Sequence, residues 1–427
     1  MGGVKVFLTH KKKLLEGKSE DKKMSKVHKK RTIDQNVYDL ALERINRTYD
    51  IFDSVVVMFS GGKDSTVCLN LTLQVAKERN KLPLDVYFFD EEAIPYETID
   101  YVERVANLPE VNMHWLCVPI KHRNGCSRKQ PYWYPWAPED KDKWVRPMPK
   151  HKSVITWKDI EMFPIDIDKR PSVPECNGLL FPPEKVGEVG VIMGIRSEES
   201  LTRYRTILQT GYGKRYEPYM IPLKSKTALA NVWKICPIYD MKTVDVWTAP
   251  HLYNWDYNTT YDILEKLGLT HLQQRCAPPY GEEPMRGLWQ YSIAFPDIWD
   301  KMQSRVEGSA TAARYANTEL YAFNGIPKKP DDIEWLDYIK YYVMKHPNPY
   351  RSLIAEKIQH WIKWHKAKTS DPILENPHYH TGMSWQFLLR IAMRGDFKDR
   401  KSPSFSTDPQ TIKNMKRLYD KERFNGK

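Results

Sequence analysis

Strands alternate with helices through residues 34–193, and segments with an apolar period near 3.6 follow from about residue 240. That order predicts an α/β protein: a parallel sheet with helices on both faces, plus a mainly helical C-terminal region. Two short β-branched runs, Val55–Phe59 and Val189–Met193, support it, because strands covered on both faces are apolar throughout rather than alternating.

Taken in order, Asp34–Tyr49 is predicted helical, with Val37, Leu40, Ala41, Ile45 and Tyr49 on one face. Val55–Phe59 is a buried strand, Ser60–Ser65 a turn, and Thr66–Arg79 a helix. "LPLDVYFFDEE" is a second strand that ends in acids, Tyr96–Ala106 a second crossover helix and "VNMHWLCVPI" a third strand. Val189–Met193 is a fourth, followed by the loop "GIRSEES". Residues 121–183 interrupt the pattern with a stretch rich in Pro and aromatics, read as an inserted lid or excursion. After 240, "TVDVWTAPHLYN", "TTYDILEKLG", "EWLDYIKYYVMKH", "YRSLIAEKIQHWIKWHKAK" and "TIKNMKRLYDKERF" are the helical segments. The expected division is a basic tail at 1–33, a nucleotide-binding core at 34–240 and a helical region at 241–427 whose first part completes the crevice. Met24 begins a plausible start of its own, so residues 1–23 read as an extension.

Composition bounds the partners. The 427 residues hold 66 Lys+Arg against 54 Asp+Glu, a net charge of +12, which favours polyanions. Apolar residues at 41% and aromatics at 12% exclude a wholly disordered chain. Runs of about 18 apolar residues, the mark of a membrane span, do not occur. The Lys-rich N-terminus lacks the apolar core of a secretory signal, and a cytoplasmic protein is expected. The six cysteines include no C-x-x-C pair, so zinc ribbons, iron–sulfur clusters and disulfide frameworks are not expected.

Ser60-Gly61-Gly62-Lys63-Asp64-Ser65 is the most informative hexapeptide. It lies between a strand and a helix, where glycines let backbone N–H groups approach an anion and the helix start adds partial positive charge. Lys63 supplies a full charge, and Ser60 and Ser65 supply hydroxyls. The alternative is a glycine-containing turn with no ligand. The spacing is neither that of a Walker A loop, since Asp64 follows Lys63, nor a dinucleotide-binding G-x-G-x-x-G.

This S-G-G-K-D-S after "VVVMF" resembles the PP-loop of the adenine-nucleotide α-hydrolase superfamily, which includes ATP pyrophosphatases and phosphoadenosine phosphosulfate (PAPS) reductases. "YFFDEE", "MGIRSEESLTRY" and "KICPIYDMKTVDVW" are similar to segments of the reductase branch, the last departing at Tyr239-Asp240-Met241 where the family has Trp. The similarity covers about 34–120 and 186–290. The C-terminal third resembles the extra domain of the branch that includes a co-activator of prophage gene expression.

The resemblance implies a PP-loop fold that takes ATP or PAPS as substrate, with Mg²⁺ as counter-charge. It implies nucleotide contacts at Ser60–Ser65, Asp90, Gly194, Arg196, Glu199, Ser200 and Arg203, with Lys63 and Arg196 catalytic. Asp90, Glu91 and Glu92 are candidates to hold Mg²⁺ or a ribose hydroxyl, with Asp90 and Glu91 the Mg²⁺ ligands named, and an acidic strand-end cap is the other reading. For the Arg196–Arg203 segment the other reading is a surface ion-pair cluster. One family feature is missing: the C-terminal E-C-G-L-H motif with its nucleophilic Cys, since 380–427 contain no Cys. Cys276, beside Arg275, is the remaining candidate thiol, against its reading as a packed small residue.

Residues 121–158 carry ten Lys/Arg against three acids, interleaved with Tyr132, Trp133, Tyr134, Trp136, Trp144 and Trp157. They suit base stacking, a lid over adenine, or packing with a basic rim. His378 and His380 are too few for a metal site. Three functions stay open: adenylylation or pyrophosphate cleavage at the α-phosphorus; PAPS reduction with Cys276 or an external thioredoxin-like thiol; or a nucleotide-gated protein that binds nucleic acid or a regulatory partner. No membrane partner is expected.

Overall fold

The computed structural model describes residues 33–127, 129–208, 217–223, 231–271, 273–278, 280, 287–315, 329–397, 401–406 and 408–425. The expected basic tail at 1–33 lies outside the described residues except for Ile33.

The centre is a seven-stranded sheet. Its members are β1 (Ser54–Phe59), β2 (Leu84–Phe89), β3 (Val111–Cys117), β6 (Val154–Thr156), β7 (Val189–Met193), β8 (Met220–Pro222) and β9 (Val232–Ile235). A separate two-stranded ladder pairs β4 (His122–Arg123) with β5 (Tyr132–Trp133). The large sheet runs β6-β3-β2-β1-β7-β9-β8, and all its pairings are parallel except β8 with β9. β1 pairs Val57 with Val86 of β2 on one side and with Ile192 of β7 on the other. Covered on both faces, β1 keeps Val55, Val56, Val57 and Phe59 buried.

The order of strands fixes where a ligand can sit. From β1 the chain steps outward through β2, β3 and β6, then returns to the opposite side of β1 as β7. The winding reverses between β1 and β7, and a crevice opens at the C-terminal ends of two such strands. The PP-loop sequence and the "GIRSEES" loop are the two segments that leave those ends.

Helices flank the sheet as the periodicity predicts: Val37–Ile51, Lys63–Glu78 and Tyr96–Ala106 bury Ala41, Ile45, Leu71, Val75 and Val102 against it. The C-terminal helices Trp335–Met344, Asn348–Lys368 and Trp385–Arg394 enclose a core of their own, with Ile339, Ile354, Ile358, Leu388 and Ile391. A third apolar cluster joins Trp133 and Val145 to Leu288, Phe295, Ile298 and Met302.

The interruption at 121–183 differs from the expected lid. It contributes the edge strand β6 to the sheet and the helix Val173–Leu180 to its flank. Trp133 and Trp136 are buried, and Trp136 stacks edge-on against Trp144 at 5.1 Å. Large rings with little exposed surface stabilise by packing and are not available to cover a ligand. β8 and β9 were not legible as strands, because they are three and four residues long and Pro222 breaks the first.

Candidate active site: a phosphate loop at the strand switch

The loop after β1 turns at Gly61, whose φ of +69° places it in the left-handed region that glycine adopts without strain. A Cβ there would also come within 2.9 Å of Thr98 Cγ2. The side-chain amide of Asn258 holds the turn by donating to the Gly61 carbonyl at 2.9 Å. Inside the turn, Ser65 Oγ donates to the Gly62 carbonyl at 2.8 Å and accepts from the Ser60 amide at 3.2 Å. The helix starts at Lys63, so its first N–H groups have no partner within the helix, and the Lys63 amide is taken by the Tyr261 hydroxyl.

A cavity of about 180 Å³ opens over this helix start. Ser60, Gly62, Lys63, Asp64 and Ser65 form its floor. Gly194, Arg196, Glu199 and Arg203 form the wall contributed by the loop after β7. Cys276 closes a third side together with Tyr261, His271 and Gln274. Ser60–Ser65, the loop after β7 and Cys276 therefore converge, although more than 200 residues separate the first from the last. Gly194 is required by close approach: a Cβ there would lie 2.7 Å from the Asp64 carbonyl carbon and 2.8 Å from the Ser65 nitrogen.

Charge in the cavity is mostly paired. Arg196 is 1% exposed, and its guanidinium is shared among Asp64, Glu198, the Met241 carbonyl and Thr243. It clamps the helix start to the next loop, so the expected bidentate phosphate fork is already occupied by these partners. Arg203 pairs with Glu199 one helical turn back. The Lys63 ammonium lies 3.5 Å from Asp64 and 5.5 Å from the centre of the Tyr261 ring. Ser200 caps the following helix, with its hydroxyl accepting from the Arg203 amide at 3.2 Å, and is not in the cavity wall.

Sequence reasoning missed Tyr261. Its hydroxyl accepts from the Lys63 amide at 2.9 Å and lies 3.8 Å from Cys276 Sγ. Nothing local marks it: it reads as one apolar position in "TTYDILEKLG", and only tertiary folding carries it 198 residues back to the loop. Burial pushes its phenol well above the usual range. Burial also pushes the Cys276 thiol up, more than the Tyr261 hydroxyl and Lys63 charge pull it down. An adjacent Arg275 therefore does not give Cys276 the depressed pKa expected of a nucleophile.

The acids at the end of β2 stand apart from this cavity. Asp90 has no exposed surface. Its carboxylate accepts from Trp115 Nε1 at 2.8 Å, from the Glu92 amide at 2.9 Å and from Arg146. Glu92, also fully buried, accepts from the amides of Trp136 and Val145 at 2.7 and 2.9 Å and from Arg305 Nε at 2.9 Å. Glu91 faces His122 at 3.8 Å. Asp90 and Glu91 therefore do not fit a resident Mg²⁺, because the Asp90 oxygens are already taken by buried donors. Among the described residues no group of three or more His, Cys, Asp or Glu is arranged to hold a metal.

Residues 54–264 match the phosphoadenosine phosphosulfate reductase domain family. The chain carries a PAPS reductase domain. Residues 268–375 match a second family, a domain of unknown function (DUF3440), and follow the reductase domain directly. Over 407 residues the chain is 28% identical to the protein called "Uncharacterized protein YbdN" of Escherichia coli (strain K12), covering 92% of this chain and 95% of that one. Similar solved structures include a PAPS reductase from Candida auris in a phosphate complex (14% identity, 56% of this chain and 95% of that one, TM-score 0.28). Another is the U34-tRNA thiolase NcsA from Methanococcus maripaludis with its [4Fe-4S] cluster (13% identity, 70% and 85% coverage, TM-score 0.31). The PAPS reductase domain gives the protein its PP-loop nucleotide-binding fold. Among the described residues no helix is long and apolar enough to cross a membrane.

Proposed function

We propose that this chain is a PP-loop enzyme that binds an adenine nucleotide, ATP or PAPS, and acts at the α-phosphate or the sulfo group. The observation that carries this reading is the cavity over the helix start at Lys63, where a glycine turn, the first residues of the helix and a lysine line one space at the strand switch. An array of donors fixed before the ligand arrives stabilises charge that develops in the transition state. Residues 34–240 are the proposed nucleotide-binding core, and the segment 241–280 supplies the far wall through Tyr261 and Cys276.

In the ATP reading, an acceptor oxygen attacks the α-phosphorus, the bond to the bridging oxygen breaks, and pyrophosphate leaves with its electron pair. Lys63 and the helix N–H groups hold the departing phosphates. Asp64 and Arg196 hold the loop in place. Mg²⁺ enters with the nucleotide as part of the substrate rather than on Asp90. The reductase reading needs a thiolate, and the raised Cys276 pKa favours an external thiol over Cys276 in that role.

Incubation with ATP and with PAPS separately, with pyrophosphate, AMP, sulfite and adenosine bisphosphate read out, tests the proposal. Product from one nucleotide is expected, and its loss in Lys63→Ala. Turnover unchanged in Lys63→Ala overturns the reading. Cys276→Ser is expected to retain at least half of the activity; complete loss would restore Cys276 as the nucleophile.

A further inference from the structure

We propose that the C-terminal helical region carries a second binding site, remote in sequence from the phosphate loop, that takes an unpaired nucleotide of a single-stranded nucleic acid. A cavity of about 370 Å³ lies between the helix Asn348–Lys368, the segment 369–381 and Phe405, and the helix Pro409–Asn425 runs beside it, with Lys416 next to the Tyr379 ring. That volume is within the range of small-molecule sites. Its aromatic walls are Trp364, Tyr379 and Phe405. Phe405 is 59% exposed, so its ring stands at the mouth rather than in the core.

Cations sit at the same rings. Lys368 Nζ is 5.9 Å from the centre of Trp364, and Lys416 Nζ is 5.5 Å from the centre of Tyr379. Aromatic faces with lysines beside them bind single strands: bases stack on the rings and phosphates meet the ammonium groups. The acid of the wall, Asp371, does not oppose this, because Arg423 pairs with it at 2.7 Å and His378 Nε2 lies in hydrogen-bond range at 3.1 Å. The wall is also held in place. Buried His378 donates to Asp371, while its Nδ1 accepts from the amides of His380 and Thr381 at 3.3 and 3.2 Å.

The charge continues past the cavity, which favours a strand over a lone nucleotide. Lys413, Lys416, Arg417 and Lys421 are all exposed on the helix Pro409–Asn425. From the first to the last they span about 12 Å along the axis, more than one phosphate occupies. Residues 328–427 hold twenty Lys/Arg against twelve Asp/Glu, so the region as a whole is positive. A base inside a duplex must first be unstacked to enter such a cavity, so an unpaired strand is the occupant.

Fluorescence anisotropy with the full chain and a labelled oligothymidylate of about 12 nucleotides tests this. Retention at about 50 mM salt that weakens as salt rises is expected. The pair Lys368→Ala and Lys416→Ala, tested together, should lower the salt slope by about 1.4. Phe405→Ala should weaken binding about fivefold or more and leave the slope unchanged. Lys340→Ala with Lys345→Ala, which removes equal charge from the helix Trp335–Met344 and its C-cap, should leave both quantities unchanged. The substituted side chains are at the surface, and melting curves that match the unaltered chain establish that the variants fold. Four results overturn the proposal: no retention at low salt, equal slope loss in the two lysine pairs, full displacement by millimolar AMP, or equal binding of a duplex of the same length.

Discussion

Two neighbouring strands end in polar segments, and the two ends do opposite things. At the end of β1, Ser60–Ser65 faces a cavity, and Lys63 stands beside it with one acid 3.5 Å away. At the end of β2, Asp90 and Glu92 are both fully buried and tied to Arg146, Arg305, Trp115 and the amides of Trp136 and Val145. The first end leaves donors for a ligand; the second uses all its acceptors to attach the insertion and the helix Pro296–Arg305 to the sheet. Polar residues at a strand end are thus no guide to ligand binding until their partners are known. A buried carboxylate that meets enough donors is structural.

The functions of the two strand ends differ most at Lys63. Lys63→Ala is expected to reduce nucleotide turnover by about 1000-fold, since one lost charge-stabilising donor costs on that order, and to leave the melting temperature nearly unchanged. Turnover assays and a melting curve on the same sample check it. The opposite profile is expected of Glu92→Ala. It leaves Arg305 buried without its main partner and should cost about 3–5 kcal/mol of stability, measured by urea unfolding. A Glu92→Ala chain as stable as its parent would remove the distinction between the two ends.

Gly194→Ala probes the cavity side. The added methyl would meet backbone atoms of Asp64 and Ser65 at 2.7–2.8 Å, which cannot rotate aside. A shift of the loop by a fraction of an ångström is expected to lower activity on the order of 100-fold, with a smaller loss of stability than Glu92→Ala. Activity equal to the parent's would show that the loop tolerates displacement.

The smallest effect lies away from both strand ends. Burial holds the His365 ring below its usual pKa, with its Nδ1 2.8 Å from Thr381 Oγ1 and its Nε2 3.0 Å from the Asp371 carbonyl. The folded chain thus binds the proton less readily than the unfolded chain, where the ring titrates near ~6.5. Stability from this residue is complete above that pH, declines as pH falls below it toward the lowered folded value, and then levels. His365→Gln should flatten that part of the curve, as read from melting temperatures at several pH values between neutral and acid.

Much of the fold was legible because it rests on local pattern. Tyr96–Ala106 and Val189–Met193 were located to the residue, since a helix or a buried strand repeats its signal every few positions. The phosphate loop was legible for a different reason: a glycine turn between strand and helix is a contiguous device. Arg196 was found at the cavity but not with its partners. Its sequence neighbourhood gives no sign that Asp64 and Thr243, 132 and 47 residues away, would take its donors. The same holds for the aromatic insertion. Basic and aromatic residues interleave alike in a lid and in a packed flank, and only burial of Trp133 and Trp136 separates the two.

The α/β class, the strand-loop-helix unit at Ser54–Glu78 and the glycines that let its backbone turn are thus set by residue order alone. These follow from periodicity and from the conformational range of single residues, which act over a few positions. Tertiary structure decided which charged groups remain at the cavity and which are consumed. That outcome depends on pairing across long separations, as when Tyr261 reaches the Lys63 amide and Arg305 reaches Glu92. A carboxylate or guanidinium keeps the same sequence signature in either state, and only its desolvation and its partners tell the two apart.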